Sequence, residues 1–250
     1  MGSHVMERRG LAGMVPAPAR ARLPRPSTRP ATPPRTAPQA AWLAGPALLG
    51  GRAAIKRAED IVVALALLAL LGPVMLLIAL WIRLDSSGPA LFCQRHVGFG
   101  GREFGMLKFR TMRQEAAEQA GCRQATRHDP RVTRAGAVLR RVSFDELPQL
   151  LNVLRGEMSL VGPRPHARGT CAGGRPFETM VPFYTARHRM RPGMTGLAQV
   201  RGWRGETDTE EKLIRRVQSD LEYVARWSLW LDFCLLARTP GAILSMKNAY

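Results

Sequence analysis

The sequence predicts an α+β fold: a mostly helical small domain with one short β-hairpin, anchored by a proline-kinked re-entrant membrane helix and by interfacial amphipathic helices. Three observations predict it. Ile61 to Ile82 is 22 residues without a formal charge, interrupted by Gly72-Pro73. Two short strand-like segments, Ala90–Cys93 and Phe104–Phe109, flank the cluster Gly98-Phe99-Gly100-Gly101. Residues 135–155 and Glu210 to about Leu236 are patterned as helices.

In chain order, residues 1–52 read as a disordered basic tail, opened by Met1-Gly2-Ser3-His4, which looks like a cloning remnant. From Val15 to about Ala40 the chain is Pro, Ala, Arg and Thr, too poor in large apolar side chains to offset its ordering entropy. That proline density also opposes the amphipathic helix an organelle leader needs. Residues 53–83 form the anchor. As continuous helix, Ile61–Ile82 would reach about 33 Å, enough to cross a bilayer. Pro73 removes a backbone donor and disfavours helix at Gly72, so a break is expected there. Lys56 and Arg57 precede the stretch and Arg83, Arg95 and Arg102 follow it, so neither end is favoured for export. A hairpin that dips in and returns is preferred over a kinked spanning helix. A buried core helix ranks third, because the stretch lacks a polar face.

Residues 84–250 make the folded domain. Leu84-Asp85-Ser86-Ser87-Gly88-Pro89 is a turn cluster by composition. The glycines at 98–101 lack the offsets of a dinucleotide fingerprint and read as a hairpin connection. A helix at 113–119 precedes a loop around Asp129-Pro130, and the last helices end at Thr239-Pro240-Gly241. Trp227, Trp230 and Leu231 recur at helical spacing on a face that suits either the core or lipid headgroups.

Lys plus Arg number 37 against 19 Asp plus Glu, a net +18 that attracts phosphates, nucleic acid or anionic lipid without choosing among them. Half of that excess lies before residue 59, outside the expected core. Cys93, Cys122, Cys171 and Cys234 form no CxxC pair, and the five histidines show no ligand spacing, which argues against zinc and redox chemistry.

The densest reactive stretch runs from Arg140 through Ser143-Phe144-Asp145-Glu146-Leu147-Pro148 to Gly162-Pro163-Arg164-Pro165. Ser143-x-x-Glu146 also fits a capping box, which would make Glu146 a helix-start residue and nothing more. That reading places Pro148 where an intrahelical N–H is needed; a start at Asp145 does not. The chemical reading puts adjacent carboxylates at a helix start with Arg140 behind and Arg164 near. Such a set can bind phosphate, hold Mg²⁺ through hard oxygen ligands, and let one carboxylate attack phosphorus to form an acyl phosphate. Lys108 and Arg110 alternate with Phe109, placing both cations on one strand face, aimed at a diphosphate or at solvent. Arg187-His188-Arg189 makes a basic loop, read as polar surface as readily as functional.

Four blocks carry a family resemblance: Lys108–Met112, Ser143–Leu150, Gly156–Pro165 and Arg191–Val200. In this order they closely resemble the bacterial sugar transferases, the monotopic phosphoglycosyl transferases, from about Arg57 to Tyr250. Arg201–Thr209, Trp227–Asp232 and Asn248-Ala249-Tyr250 are most similar to the undecaprenyl-phosphate glucose phosphotransferases of exopolysaccharide synthesis. The resemblance implies a phosphotransferase that moves a hexose-1-phosphate from a UDP-sugar, UDP-glucose or UDP-galactose, to polyprenyl phosphate with loss of UMP. It implies Asp145 as nucleophile, Glu146 as its partner at Mg²⁺, and Arg140 and Arg164, with Lys108 and Arg110, as phosphate contacts. Arg191, Gly193, Thr195, Gly196 and Gln199 would lie near the nucleotide sugar, and Gly72-Pro73 would be the membrane kink. The catalytic domain is expected on the cytoplasmic face of the bacterial inner membrane, in contact with anionic lipid, without nucleic acid; a homodimer stays open.

The chain departs from the family pattern at 167–177, where Gly169, Gly173, Gly174 and Pro176 cannot sustain the usual helix, and at Glu59, where an aromatic is usual before the apolar helix. It also lacks, in residues 1–58, the several spanning helices of larger relatives. Two other functions stay open at this point: a metal-dependent glycosyltransferase that releases UDP, and a membrane-tethered basic binding module.

Overall fold

A computed structural model describes residues 48–113, 129–172, 175–203, 205, 207 and 209–244. The expected tail at 1–47 and all but the start of the expected helix at 113–119 lie outside the described residues. The described chain mixes helix and sheet, and its first element is the apolar helix α1, Gly51–Asp85, followed by β1, Leu91–Val97, and β2, Glu103–Phe109. Then come α2, Arg134–Val142, a 3₁₀ turn at Phe144–Glu146, α3, Gln149–Arg155, and the short strands β3, Ser159–Val161, β4, His166–Ala167, β5, Cys171–Ala172, and β6, Arg175–Pro176. The described residues close with α4, Phe177–Met180, a 3₁₀ turn at Tyr184–Arg189, β7, Gly193–Thr195, α5, Leu197–Val200, α6, Glu210–Arg226, and α7, Leu229–Leu244.

α1 stays helical through Gly72-Pro73 where a break was expected. Its exposed side chains include Val62, Leu65, Leu70, Leu76, Leu77, Leu80 and Trp81, so among the described residues much of its apolar surface has no protein cover. Its polar groups near residue 60 behave otherwise. Lys56 is buried and pairs with Glu59 at 3.3 Å, Asp60 at 3.0 Å and, from α7, Asp232 at 3.0 Å. Asp60 also accepts from Ser159 Oγ at 2.8 Å and the Leu160 N–H at 2.9 Å. Glu59, where an aromatic is usual, is therefore buried in this network and not turned outward.

The hairpin forms around the glycine cluster as expected, with β1 reaching Val97 instead of Cys93; β1 and β2 are antiparallel from Leu91↔Phe109 to Val97↔Glu103, and β4 joins the other edge of β1. The expected continuous helix over 135–155 is instead two helices. Ser143 adopts a left-handed conformation, φ 58°, ending α2, and Pro148 stands immediately before α3, where its missing N–H costs no intrahelical bond. Ser143 makes no side-chain cap here, so the capping-box reading is replaced by a turn. In the 167–177 region, where the usual helix was not expected, the described residues form the short strands β4, β5 and β6, with β5 paired to β6. α6 starts at the Thr209 cap, whose hydroxyl accepts from the Lys212 N–H at 3.3 Å. α7 runs past the expected stop and carries Pro240 inside it, the Thr239 hydroxyl bonding back to the Leu235 carbonyl at 2.7 Å.

The main core gathers Ala64 of α1, Phe104 and Met106 of β2, Leu150 and Val153 of α3, Leu160 and Val161 of β3, and Tyr223 and Trp227 behind them. A second cluster packs Ile78 and Ile82 of α1 on Phe109 and Leu139. Between them these clusters fix the turn at 143–148 relative to β2 and the loop after β3.

Candidate active site

The acidic pair sits in the 3₁₀ turn. The left-handed Ser143 reverses the chain out of α2, and the bonds Glu146 N–H to Ser143 O, 3.3 Å, and Leu147 N–H to Phe144 O, 3.2 Å, hold the two carboxylates side by side. They differ in surroundings. Glu146 is clamped by both terminal nitrogens of Arg164, Nη1 at 3.2 Å, and has Lys108 Nζ at 3.6 Å. Asp145 is only 8% exposed, and no side chain or backbone donor among the described residues hydrogen-bonds its carboxylate. Burial, and then the adjacent Glu146 charge, push it up to about 6, against the pull of Lys108, Arg140 and Arg164. Adjacent acids with such different surroundings suit different tasks: one held by cations, one carrying an unused oxygen.

Five of the residues singled out by sequence thus meet: Lys108 from β2, Arg140 from the last turn of α2, Asp145 and Glu146 from the turn, and Arg164 from the loop after β3. Arg110 does not join them. β2 ends at Phe109, so the expected shared face with Lys108 is lost; the Arg110 guanidinium turns inward to the carbonyls at the end of α1, bonding Ser86 O at 2.7 Å, Ser87 O, and Ile82 O at 3.5 Å. It caps a helix C-terminus, where cations are favoured.

The 191–199 block lies beside the site as a support. Arg191 Nε donates to Gly156 O at 2.8 Å, and its guanidinium sits 5.8 Å from the Phe99 ring centroid. Gly193 and Gly196 press against Gly162, where a side chain on either would overlap the Gly162 backbone. Thr195 shares a hydroxyl bond of 2.8 Å with Thr239. Within this block Gln199 keeps a buried amide with no partner among the described residues.

The donor set fits magnesium by its chemistry. Mg²⁺ needs few protein oxygens when phosphates complete its shell, and a dication beside Asp145 and Glu146 would relieve the mutual repulsion that raises Asp145.

Sequence reasoning took Arg187 only as part of a basic loop and missed Arg216 and Asp220; these three are buried, with the half-buried His166 ring between the two arginines and beside the Arg164 loop. One signal was available: Asp220 falls on the apolar stripe of α6 with Leu213, Val217, Leu221 and Val224, where an acid needs a partner.

Residues 51–246 match the family described as bacterial sugar transferase. The chain belongs to that family. This sugar transferase is 52% identical over 197 residues, 78% of its own length and 72% of the relative's, to the UDP-glucose:undecaprenyl-phosphate glucose-1-phosphate transferase of Caulobacter vibrioides. It is 51% identical over 195 residues to the undecaprenyl-phosphate glucose phosphotransferase of Komagataeibacter xylinus, of which the match spans 37%. Over 196 residues it is 51% identical to the exopolysaccharide production protein PSS of Rhizobium leguminosarum bv. phaseoli, covering 98% of that protein. The chain therefore spans little more than a third of one relative and nearly all of another.

Proposed function

We propose that this sugar transferase moves a hexose-1-phosphate from a UDP-sugar, UDP-glucose or UDP-galactose, to polyprenyl phosphate, through a phosphosugar bound to Asp145. The observation that carries this reading is the buried Asp145 carboxylate, without a hydrogen-bond donor among the described residues, beside a glutamate held by Arg164 and Lys108. Asp145 Oδ attacks the β-phosphorus as the bond from that phosphorus to the bridging oxygen breaks, and the oxygen leaves on UMP. An oxygen of polyprenyl phosphate then attacks the same phosphorus, the bond to Asp145 breaks, and the free carboxylate returns. No proton is consumed in either exchange.

The residues around Asp145 have separate tasks in this reading. Lys108, Arg140 and Arg164 neutralise the diphosphate, which would otherwise repel an anionic nucleophile. Arg164 exchanges a carboxylate for a phosphate, both of which its planar fork accepts in two-point contact. Glu146, with Asp145, would hold magnesium, which when bound supplies further charge neutralisation at the phosphates.

The anchor supports a lipid acceptor. α1 presents an uncovered apolar surface, and α7 adds Trp230, 75% exposed, with Phe233 and Leu244, while Trp227 on the same helix start turns into the core and donates to Asp232 at 2.9 Å. A helix with such an outward stripe suits the interfacial zone, and in this reading the domain rests on the cytoplasmic leaflet with α1 dipping in and returning. The polyprenyl chain then stays in the bilayer while its phosphate reaches Asp145.

Incubation with UDP-glucose or UDP-galactose and Mg²⁺, without lipid acceptor, tests the proposal. Intact-mass measurement should find a hexose-phosphate adduct on the Asp145 peptide, with UMP in the supernatant. Release of UDP, or robust transfer with no adduct in quenched samples, would sink it.

A further inference from the structure

The Arg187 guanidinium lies in the 3₁₀ turn at Tyr184–Arg189, 2% exposed, and the chemistry above gives it no task. It contacts acceptors on three elements. Nη2 donates to Asp220 Oδ2 of α6 at 2.5 Å and to the backbone carbonyl of Arg164. Nη1 points at His166 Nδ1, 2.6 Å away, and at the Tyr184 hydroxyl, 3.3 Å away. An arginine can only donate, so His166 Nδ1 accepts from Arg187 in the shorter of the ring's two arginine contacts, the other being Arg216 Nη1 to Nε2 at 3.3 Å. That ring is neutral, because burial and then the charges of Arg187 and Arg216 drive its pKa well down. Arg216, from the same helix as Asp220, binds the next loop through Trp203 O at 3.0 Å and Gly205 O at 2.8 Å.

The consequence is geometric. The Pro163-Arg164-Pro165 turn is gripped on both sides by one guanidinium, through the Arg164 carbonyl and through the His166 ring two residues on. The same Arg164 extends its side chain to Glu146. Asp220 fixes the guanidinium from behind, 1% exposed and so dependent on that partner. A lysine could carry the charge, but it has no planar fork to reach a carbonyl, a ring nitrogen and a carboxylate at once.

We propose that Arg187, held by Asp220, is the positioning residue for Arg164: it sets the Pro-Arg-Pro turn so that the Arg164 fork meets the acidic pair and the phosphate. The inference rests on the phosphate-transfer reading for what Arg164 does, and on geometry alone for how Arg164 is held.

A double-mutant cycle tests it. Arg187→Lys and, should that variant not fold, Asp220→Asn are measured in the native and Arg164→Ala backgrounds by single-turnover UMP release in nanodiscs. Positioning predicts a loss of about tenfold or more in the native background, with the KM for the UDP-sugar changed far less, and almost no further loss once Arg164 is alanine. Equal losses in both backgrounds would reduce Arg187 to general scaffolding and overturn the proposal. Hydrogen exchange, read without substrate, supplies the second measurement. Amides at 162–167 should exchange faster in the Arg187 variant while those of α3 stay unchanged, and unaltered exchange at 162–167 overturns the proposal too. If the native chain releases no UMP, the transfer reading fails, and exchange still decides whether Arg187 holds the turn.

Discussion

The Asp145 carboxyl, pushed up to about 6 from an ordinary 3.8, carries two opposite consequences. In the proposed reaction the ionised form attacks, so kcat/KM should rise with pH through that region, about tenfold per pH unit below it, and level off above neutrality. A pH profile flat from 5 to 8 would remove Asp145 as the titrating nucleophile. Stability runs the other way. Because the folded pKa lies above the unfolded one, the contribution of Asp145 to stability is fully present below pH 3.8 and is lost as pH rises through 6. Asp145→Asn should therefore abolish turnover and yet raise the melting temperature at pH 8, by an amount equivalent to about 1–3 kcal/mol, with little effect at pH 3. A melting temperature lowered at pH 8 would mean that the carboxylate is better supported than its surroundings indicate. Arg140→Lys should weaken turnover without ending it, since charge stays and the fork goes. Lys108, Asp145, Glu146 and Arg164 were legible in the sequence because acids next to one another amid cations are chemically conspicuous. Arg110 and Arg187 were not: each is one arginine among many, and what separates them from phosphate ligands is a carbonyl or carboxylate contributed by a distant segment.

At the scale of elements, the sequence was read best where structure is local. Two strand-like segments around the glycines at 98–101 foresaw the β1–β2 hairpin, with β1 running four residues further than expected, to Val97, and the amphipathic pattern foresaw α6 from Glu210. The sequence says least where backbone meets backbone. Gly193 and Gly196, which the resemblance placed near the nucleotide sugar, also press against Gly162, two residues before Arg164, a contact no residue pattern announces. Gly196→Ala should drive its new Cβ into the Gly162 carbonyl and displace the Pro-Arg-Pro turn, costing about 1–3 kcal/mol and most of the activity. Full activity at unchanged melting temperature would show that this crossing can relax. Arg110→Lys offers a contrast. It loses the carbonyl contacts that end α1, so denaturation should shift while the KM for the UDP-sugar does not, and a raised KM would return Arg110 to the phosphate site.

For the molecule as a whole, the decisive feature is that both ends of α1 are tied to one domain. Near its start, Lys56 and Asp60 join Asp232, Ser159 and Leu160, and Arg57 donates to Val153 O at 2.5 Å and Leu154 O at 2.7 Å. At its end, Asp85 accepts from the Ala135 N–H at 3.2 Å, Arg110 holds the last carbonyls, and Ile78 and Ile82 pack on Leu139. A helix that crossed the bilayer would put these two sets of contacts on opposite sides of about 30 Å of hydrocarbon, which a single small domain cannot satisfy. Ile61–Leu71 and Pro73–Ile82 are each long enough, at 1.5 Å per residue, to reach about 15 Å, the middle of that layer. The proposed path in and back would keep both sets of contacts, and it requires α1, helical throughout here, to bend in the membrane near Gly72-Pro73, where the absent N–H weakens the helix most. Cysteine labelling in intact spheroplasts decides it. With the four native cysteines changed to serine, Leu49→Cys and Ser87→Cys should both resist an impermeant maleimide added outside and both react once the membrane is opened. Labelling of either position from outside would make α1 a spanning helix and would require one set of its contacts to break in the bilayer.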